Sequence, residues 1–309
     1  DRLFSSLGAA WASASARSCA DVRELTPEFF FLPEMFVNMN AFEFGRTQSG
    51  ARVDLKAEVN TGGDFLDKIR LRAGHATYRH FELEEDNSVG TAFYNKGLEA
   101  RGEIVQAKRG AWSGASGVQY FSRAFDVVGD EAFLPRNLTE QVGIFTLQQI
   151  DAGAFRAEGG VRYEHSTLTG QNPESDTRFL RGSRSFDAVS GSLGASYGLS
   201  DSVRIGLNGS RTERAPSAEE LFANGPHAGT QAYELGSPDF RTEKSWGLEA
   251  TLHVHSGAFS LDASAYHTWF SDYIYEAQMP SAVCEAAGSD GDLPCFQYRQ
   301  RDARYWGFE

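Results

Sequence analysis

The chain has 309 residues, of which 41% are hydrophobic and 13% aromatic, and its formal net charge is −13. Phosphate binding requires a basic surface, so this acidic chain is not expected to bind nucleic acid. No run approaches the roughly 18 apolar residues that a transmembrane helix needs, which excludes a helical membrane protein but not a membrane β-barrel. The length suffices for one large domain or two smaller ones.

Residues 1–50 show no clear periodicity. The segment is rich first in alanine and serine and then in phenylalanine, and it predicts at most one or two strands. No signal peptide opens the chain, so we expect that one has been removed or that the chain begins inside a longer protein.

From Ala51 to the end, apolar and polar residues alternate along successive segments. A period of two is typical of β-strands with one apolar and one polar face. The alternation predicts strands at residues 53–59, 69–78, 94–106, 112–125, 142–150, 155–164, 186–197, 203–213, 242–254, 258–274 and 296–308. Residues 51–309 are therefore expected to form one all-β unit.

The connections between these segments alternate between short turns and long polar passages. Short turns fall near residues 61–64, 108–110, 151–153, 199–201 and 255–257, and long passages near 79–90, 127–140, 166–183, 214–241 and 276–294. A transmembrane β-barrel has short turns at one end and long loops at the other, with apolar side chains toward lipid. A large soluble β-protein would also place its polar face in water, but it does not account for the alternating connections. The pattern predicts an antiparallel transmembrane β-barrel.

The pattern stops in mid-strand at Glu309. A bacterial barrel needs an even number of strands and a closed edge, because unpaired backbone groups cannot face lipid. With about 11 to 13 readable strands, the chain is expected to be a fragment of a larger barrel.

A family resemblance appears at residues 212–249. Residues 212–227 read TERAPSAEELFANGPH, Tyr-Glu-Leu-Gly follows at 233–236, and Glu-Lys-Ser at 243–245. This succession resembles the TonB-dependent outer-membrane receptors. The Gly-Pro-His passage, together with FSDYIY at 270–275, is most similar to their zinc-uptake subgroup.

The resemblance covers residues 51–309 and implies a barrel of about 22 strands around a plug. Neither the plug nor the terminal strand is recognisable in this sequence. The resemblance implies active uptake of a scarce nutrient, such as zinc or another metal complex, across the outer membrane of a Gram-negative bacterium. The implied partners are outer-membrane lipid and the TonB energy-coupling complex, which acts through the plug, and the barrel is expected to be a monomer. The alternative is a passive porin-like or adhesion barrel, and a plug with a TonB box upstream would discriminate the two.

Several side chains near the long connections are candidates for substrate binding. Imidazole and carboxylate ligands suit zinc, but a site needs three or four that converge. The candidate metal ligands are His75, His80, His165 and His227, although each could instead be an ordinary surface histidine. The candidate substrate-binding residues of the longest loop are Glu219, Glu220, His227 and Tyr233.

Three cysteines are present, at positions 19, 284 and 295. Cys284 and Cys295 bracket a polar loop and are expected to form a disulfide in an oxidising compartment, the alternative being two unrelated thiols. The sequence has no nucleophile motif, no Gly-rich phosphate loop and no Cys-x-x-Cys. The chain is therefore not expected to be an enzyme or to need a cofactor, and zinc would be cargo.

Overall fold

The computed structural model describes residues 45–83, 86–129, 132–172, 178–179, 181–227 and 229–309, with side chains from Ser49 onward. Residues 1–44 lie outside the described residues, and so does any strand expected there. The first described strand begins at Gly45.

In the part of the chain that the structure describes, thirteen strands form a single sheet. In chain order they are β1 (Gly45–Asn60), β2 (Leu66–Leu83), β3 (Val89–Gln106), β4 (Trp112–Gly129), β5 (Asn137–Ala152), β6 (Phe155–Gly170), β7 (Gly182–Ser200), β8 (Val203–Arg214), β9 (Asn224–His227), β10 (Ala232–Leu235), β11 (Glu243–Ser256), β12 (Phe259–Met279) and β13 (Cys295–Phe308). Two short helices, α1 (Ala218–Phe222) and α2 (Ser281–Glu285), lie in the last two long connections.

Strands β1 to β8 pair in sequence order, followed by β11, β12 and β13. Neighbours are antiparallel, except that β10 pairs in parallel with the start of β13 and carries β9 beyond it. The predicted all-β, predominantly antiparallel fold is confirmed, and the sheet is part of a barrel. In the described residues, no helix is long and apolar enough to cross a membrane.

One face of the sheet, called here the apolar face, carries the alternating hydrophobic residues. Leu207 pairs with Ala195 on one side and with Ala250 on the other, so apolar side chains form continuous rows across strands. Many of these side chains are 50% to 71% exposed: Val53, Leu55, Leu71, Val118, Ile144, Val161, Leu193 and Leu207. An exposed apolar surface of this extent fits a hydrocarbon environment better than water.

The opposite face, called here the charged face, carries ion pairs between neighbouring side chains. Arg101 contacts Glu103 at 2.6 Å, and Glu58 contacts Lys68 at 2.9 Å and Arg70 at 2.8 Å. These opposite charges neutralise one another along the charged face. The result is a polar lining of the kind that the inside of a barrel requires.

Several strands extend further toward the long connections than the alternation predicts. β2 runs to Leu83 and β3 starts at Val89, so most of the passage expected at 79–90 belongs to these two strands. The pairing of β4 with β5 and of β6 with β7 also continues into passages expected to be irregular. Backbone hydrogen bonds between neighbouring strands extend these strands, and such bonds do not require alternating side chains.

The main hydrophobic core lies at the long-connection end of the charged face. Leu221 and Phe222 of α1 pack there against inward side chains of the strands. The strand and loop residues of this cluster are Phe93, Val127, Phe133, Leu134, Leu168, Phe186, Phe240 and Ile274. Residues 132–136, α1 with its flanking residues, and Phe240 are thus held against the charged face, and this covered end is called the mouth below.

A capping box starts α1. The Ser217 hydroxyl accepts a hydrogen bond from the Glu220 backbone N–H at 3.2 Å, and the Ser217 N–H donates to the Glu220 carboxylate at 2.8 Å. Replacing Ser217 by alanine is expected to lower the free energy of opening of α1 by about 1 kcal/mol. Hydrogen exchange of the α1 amides measures it.

The matched control is Ser281→Ala. Ser281 opens α2, where Pro280 precedes the helix and no side chain caps it. An equal effect of the two substitutions on their helices would show that the Ser217 cap contributes nothing.

Candidate functional site

Arg214 connects the longest loop to the wall of the mouth. Its guanidinium donates to the Glu220 carboxylate at 2.8 and 2.9 Å and to the Glu243 carboxylate at 3.0 and 3.2 Å. The Glu243 carboxylate also accepts from the backbone N–H of Ile274 at 2.8 Å. Three strands and α1 therefore meet in one network.

The network has little contact with water. The side chains of Arg214, Glu220 and Glu243 are 21%, 12% and 10% exposed. Burial lowers the pKa of Arg214, but the two carboxylates raise it by more, so its pKa lies above the ordinary value. Arg214 thus stays charged and neutralises carboxylates that would be costly to bury alone.

A second polar pair lies on the β9–β10 hairpin. The His227 Nδ1 is 2.8 Å from the Glu234 carboxylate, which also accepts from the Thr230 hydroxyl at 2.7 Å. The His227 ring stacks on Phe133 with 3.9 Å between ring centroids. Glu234 is only 3% exposed, and the His227 Nε2 has no hydrogen bond to a residue that the structure describes.

Further polar groups surround this pair. Glu276 of β12 pairs across the sheet with Tyr298 of β13. Burial first, and then the negative charges of Glu234 and Glu276, raise the pKa of Tyr298 far above its ordinary value. The Tyr298 hydroxyl therefore remains protonated and can donate a hydrogen bond in the mouth.

The predicted substrate-loop residues have different surroundings. Glu220 belongs to the Arg214 network, and the Tyr233 hydroxyl donates to Asn224 at 3.0 Å, so both hold the loop together. Glu219 contacts Arg123 of β4 at 3.3 Å and is 18% exposed. Of the predicted loop residues, Glu219 and His227 retain polar atoms for which the described residues provide no hydrogen-bond partner.

The four candidate metal ligands do not come together. His75 lies on the apolar face, paired with Val53 and Leu98, and His165 lies on the same face with Asp187 at 2.9 Å. His80 is on the charged face, where its ring stacks on Phe93 at 4.2 Å. Within the described ranges, no group of three or more histidine, cysteine or acidic side chains could hold a metal ion.

The two cysteines form the predicted disulfide. The Cys284 and Cys295 Cα atoms are 5.7 Å apart, and both side chains are at most 2% exposed. The disulfide packs with Tyr233 and Leu235 of β10, with Met279, Val283, Ala287 and Leu293 around them. It thus links α2 covalently to the first residue of β13, beside β10.

Sequence reasoning did not find Arg123, Glu234, Glu276 and Tyr298. These residues belong to four different elements and converge only because the loop folds back onto the strands.

Comparison with known proteins covers most of the chain at family level. A sequence model of the family "TonB dependent receptor-like, beta-barrel" matches residues 26–309. Among curated proteins the matches include short likenesses: 65% identity over 54 residues with Beige protein homolog 1 of Saccharomyces cerevisiae, and 50% identity over 54 residues with Lysosomal-trafficking regulator of Homo sapiens. These cover 18% of this chain and 2% and 1% of those proteins, and they extend no function to it.

Solved structures with a similar fold include three transport proteins. The copper transporter OprC has a TM-score of 0.69 at 16% identity over 84% of this chain and 42% of its own. A double mutant of the Serratia marcescens hemophore receptor HasR has a TM-score of 0.64 at 14% identity, over 85% of this chain and 45% of its own. The FrpB iron transporter from Neisseria meningitidis has a TM-score of 0.62 at 11% identity, over 85% of this chain and 41% of its own. The chain spans less than half the length of each.

The family match covers most of the sequence, and the fold agrees with it. Barrel relatives in this family are outer-membrane proteins of Gram-negative bacteria, and its members are receptors and transporters. The chain belongs to the TonB-dependent receptor-like β-barrel family.

Proposed function

We propose that the protein is an outer-membrane receptor that takes up a scarce nutrient actively, and that the nutrient is a metal ion or a metal complex, with zinc among the candidates. The observation that carries this proposal is the covered mouth, where residues 132–136, α1 and Phe240 pack onto the charged face. A passive pore works best open, whereas a receptor needs a structured entrance that binds its ligand.

The polar groups of the mouth support a metal-containing cargo. The His227 imidazole and the Glu219, Glu234 and Glu276 carboxylates are ligand types that suit zinc, copper and iron. Loop movement would be needed to bring three of them together, because no such group exists in the described residues as they stand. The fold relatives named for copper and iron transport lend support to this class of cargo.

The remaining assignments follow from the same proposal. The apolar face would contact outer-membrane lipid, and energy would come from the TonB complex acting on a plug. Transport needs no catalytic residue and no resident cofactor, and the proposed working unit is a single barrel.

The proposal is tested by uptake in a strain whose own gene for the full-length protein is deleted. The strain is complemented with the wild type or a variant and supplied at limiting concentration with ⁶⁵Zn²⁺, copper, haem or a ferric catecholate. We expect one of these substrates to accumulate only in complemented cells, and a protonophore to abolish the accumulation. Uptake that persists in the presence of the protonophore would favour the passive barrel.

The double variant Glu219→Gln/His227→Ala is expected to raise the half-saturating concentration about tenfold or more, the usual cost of losing groups around a metal. The matched control is His75→Ala, because His75 lies on the apolar face. If the control matches the double variant, or if neither changes uptake, the mouth is not the binding site.

A further inference from the structure

A groove crosses the apolar face near its long-connection end. Its volume is about 590 Å³, and it forms where Gly191 of β7 and Gly209 of β8 present no side chain. Leu193 and Leu248 line its floor and sides, and Trp246 and Trp269 stand at its upper end. The surface is almost entirely apolar, so a hydrocarbon chain can fill it without leaving a polar group unsatisfied.

Strand register places four large side chains in one row at the upper end of this groove. Arg211 of β8 pairs with Trp246, Trp246 with Trp269, and Trp269 with Arg304 of β13. The Arg211 guanidinium carbon is 5.8 Å from the Trp246 ring centroid. Two tryptophans between two arginines are typical of the level where a membrane changes from hydrocarbon to headgroups.

The row carries a positive charge that the described residues do not fully compensate. Arg304 is exposed and makes no hydrogen bond or ion pair with a residue that the structure describes. Glu213 is held by Arg211 and has Lys244 4.0 Å away, and its side chain is 9% exposed. Arg211, Arg304 and Lys244 against Glu213 and Asp302, which lies two residues before Arg304 on β13, give a local excess of one positive charge.

We propose that the groove and the arginine row bind one lipid of the outer leaflet, with an acyl chain over Gly191 and Gly209 and a phosphate headgroup at Arg211 and Arg304. Arginine binds phosphate oxygens with two parallel hydrogen bonds, and basic side chains beside apolar grooves recognise anionic headgroups. A second copy of the chain fits this face less well, because a symmetric contact would bring the two arginine rows together. This inference rests on the proposed location in the outer membrane.

The test compares lipid retained by the full-length protein after purification from outer membranes into mild detergent. Phosphorus and fatty acids per protein are measured, and native mass spectrometry gives the mass of any bound lipid. Gly209→Leu fills the groove, and a Cβ added at this position meets no atom within 4 Å, so the barrel is expected to fold. Arg304→Gln removes one phosphate contact.

Each variant has a matched control on the apolar face of β2, away from the groove: Ala73→Leu for added volume and Arg79→Gln for lost charge. We expect retained phospholipid or glycolipid to fall about fivefold in Arg304→Gln, which corresponds to about 1 kcal/mol per basic residue at a lipid surface. In Gly209→Leu the bound mass is expected to disappear, while both controls retain the wild-type amount.

Equal lipid in all five proteins would overturn the proposal, because the lipid would then be a general detergent-layer contaminant. A wild type that runs as a dimer and a Gly209→Leu variant that runs as a monomer would also overturn it, since the groove would then join two copies. A different result would contradict the proposed function itself. The wild-type protein would then be absent from the outer-membrane fraction, or it would not show the heat-modifiable migration of a folded barrel.

Discussion

Replacing Arg214 by methionine is expected to destabilise the docked loop 215–242 by about 3–5 kcal/mol, the cost of leaving partners of a buried ion pair without their counter-charge. The substitution leaves the Glu220 and Glu243 carboxylates facing each other in a site that is little exposed to water. We expect the loop amides to exchange with solvent much faster while the amides of β3 to β7 remain protected. Hydrogen exchange of the full-length protein in detergent or lipid measures both.

The matched control is Arg241→Met in the same loop. Arg241 also makes an ion pair, with Asp272 at 3.0 Å, but its side chain is 76% exposed. An exposed pair contributes at most about 1 kcal/mol, so the control should change loop exchange little. Similar effects of the two substitutions would mean that Arg214 does not hold the loop.

Removing the disulfide with the double variant Cys284→Ala/Cys295→Ala is expected to destabilise the loop of α2 by about 3 kcal/mol. The estimate follows from the loop entropy that a crosslink between cysteines 11 residues apart removes from the unfolded chain. The parallel pairing of β10 with β13 involves only Tyr233, Glu234 and Leu235 and adjoins Cys295, so it should open with the loop. Limited proteolysis within residues 286–294 measures the opening.

A reducing agent applied to the wild type provides an independent route to the same state. Reduction should reproduce the proteolysis of the double variant and should have no further effect on the variant itself. If the loop resists the protease equally with and without the disulfide, its packing with Tyr233 and Leu235 suffices to hold it.

The strands between residues 51 and 309 could be predicted because the apolar face imposes a strict period. Leu207, Ala250 and Ala265 occupy one row across β8, β11 and β12, and each was readable from its own segment. A slip of one residue would turn every apolar side chain toward the charged face, so the alternation determines the face of each residue. The register between strands follows from this constraint and from the short turns.

The ends of the strands and the loop structures could not be predicted in the same way. β9, β10, α1 and α2 lie in passages that the alternation marks only as irregular. They are stabilised by distant partners: Asn224 donates to the Arg178 carbonyl, and Gly236 approaches α1 so closely that a Cβ would be 2.8 Å from the Leu221 carbonyl carbon. Such contacts leave no local periodicity.

The candidate site likewise contains some residues whose positions follow from the alternation and others whose positions depend on distant contacts. Parity along β2 and β6 was sufficient to place His75 and His165 on the apolar face, and applying it to each histidine would have separated them from His80. The proximity of Glu234, Glu276 and Tyr298 depends on a chain reversal that sequence alone does not encode locally.

The core of the mouth joins Phe93 of β3 to Phe240, residues that are far apart along the chain. Such a core can assemble only after the intervening strands have paired, so the covered mouth is expected to be the last part of the described chain to become native. By the same reasoning it is the first part to come loose under mild stress. Assembly and local opening would then use a single transition: this end of the sheet would loosen by reversing the final step of its own assembly.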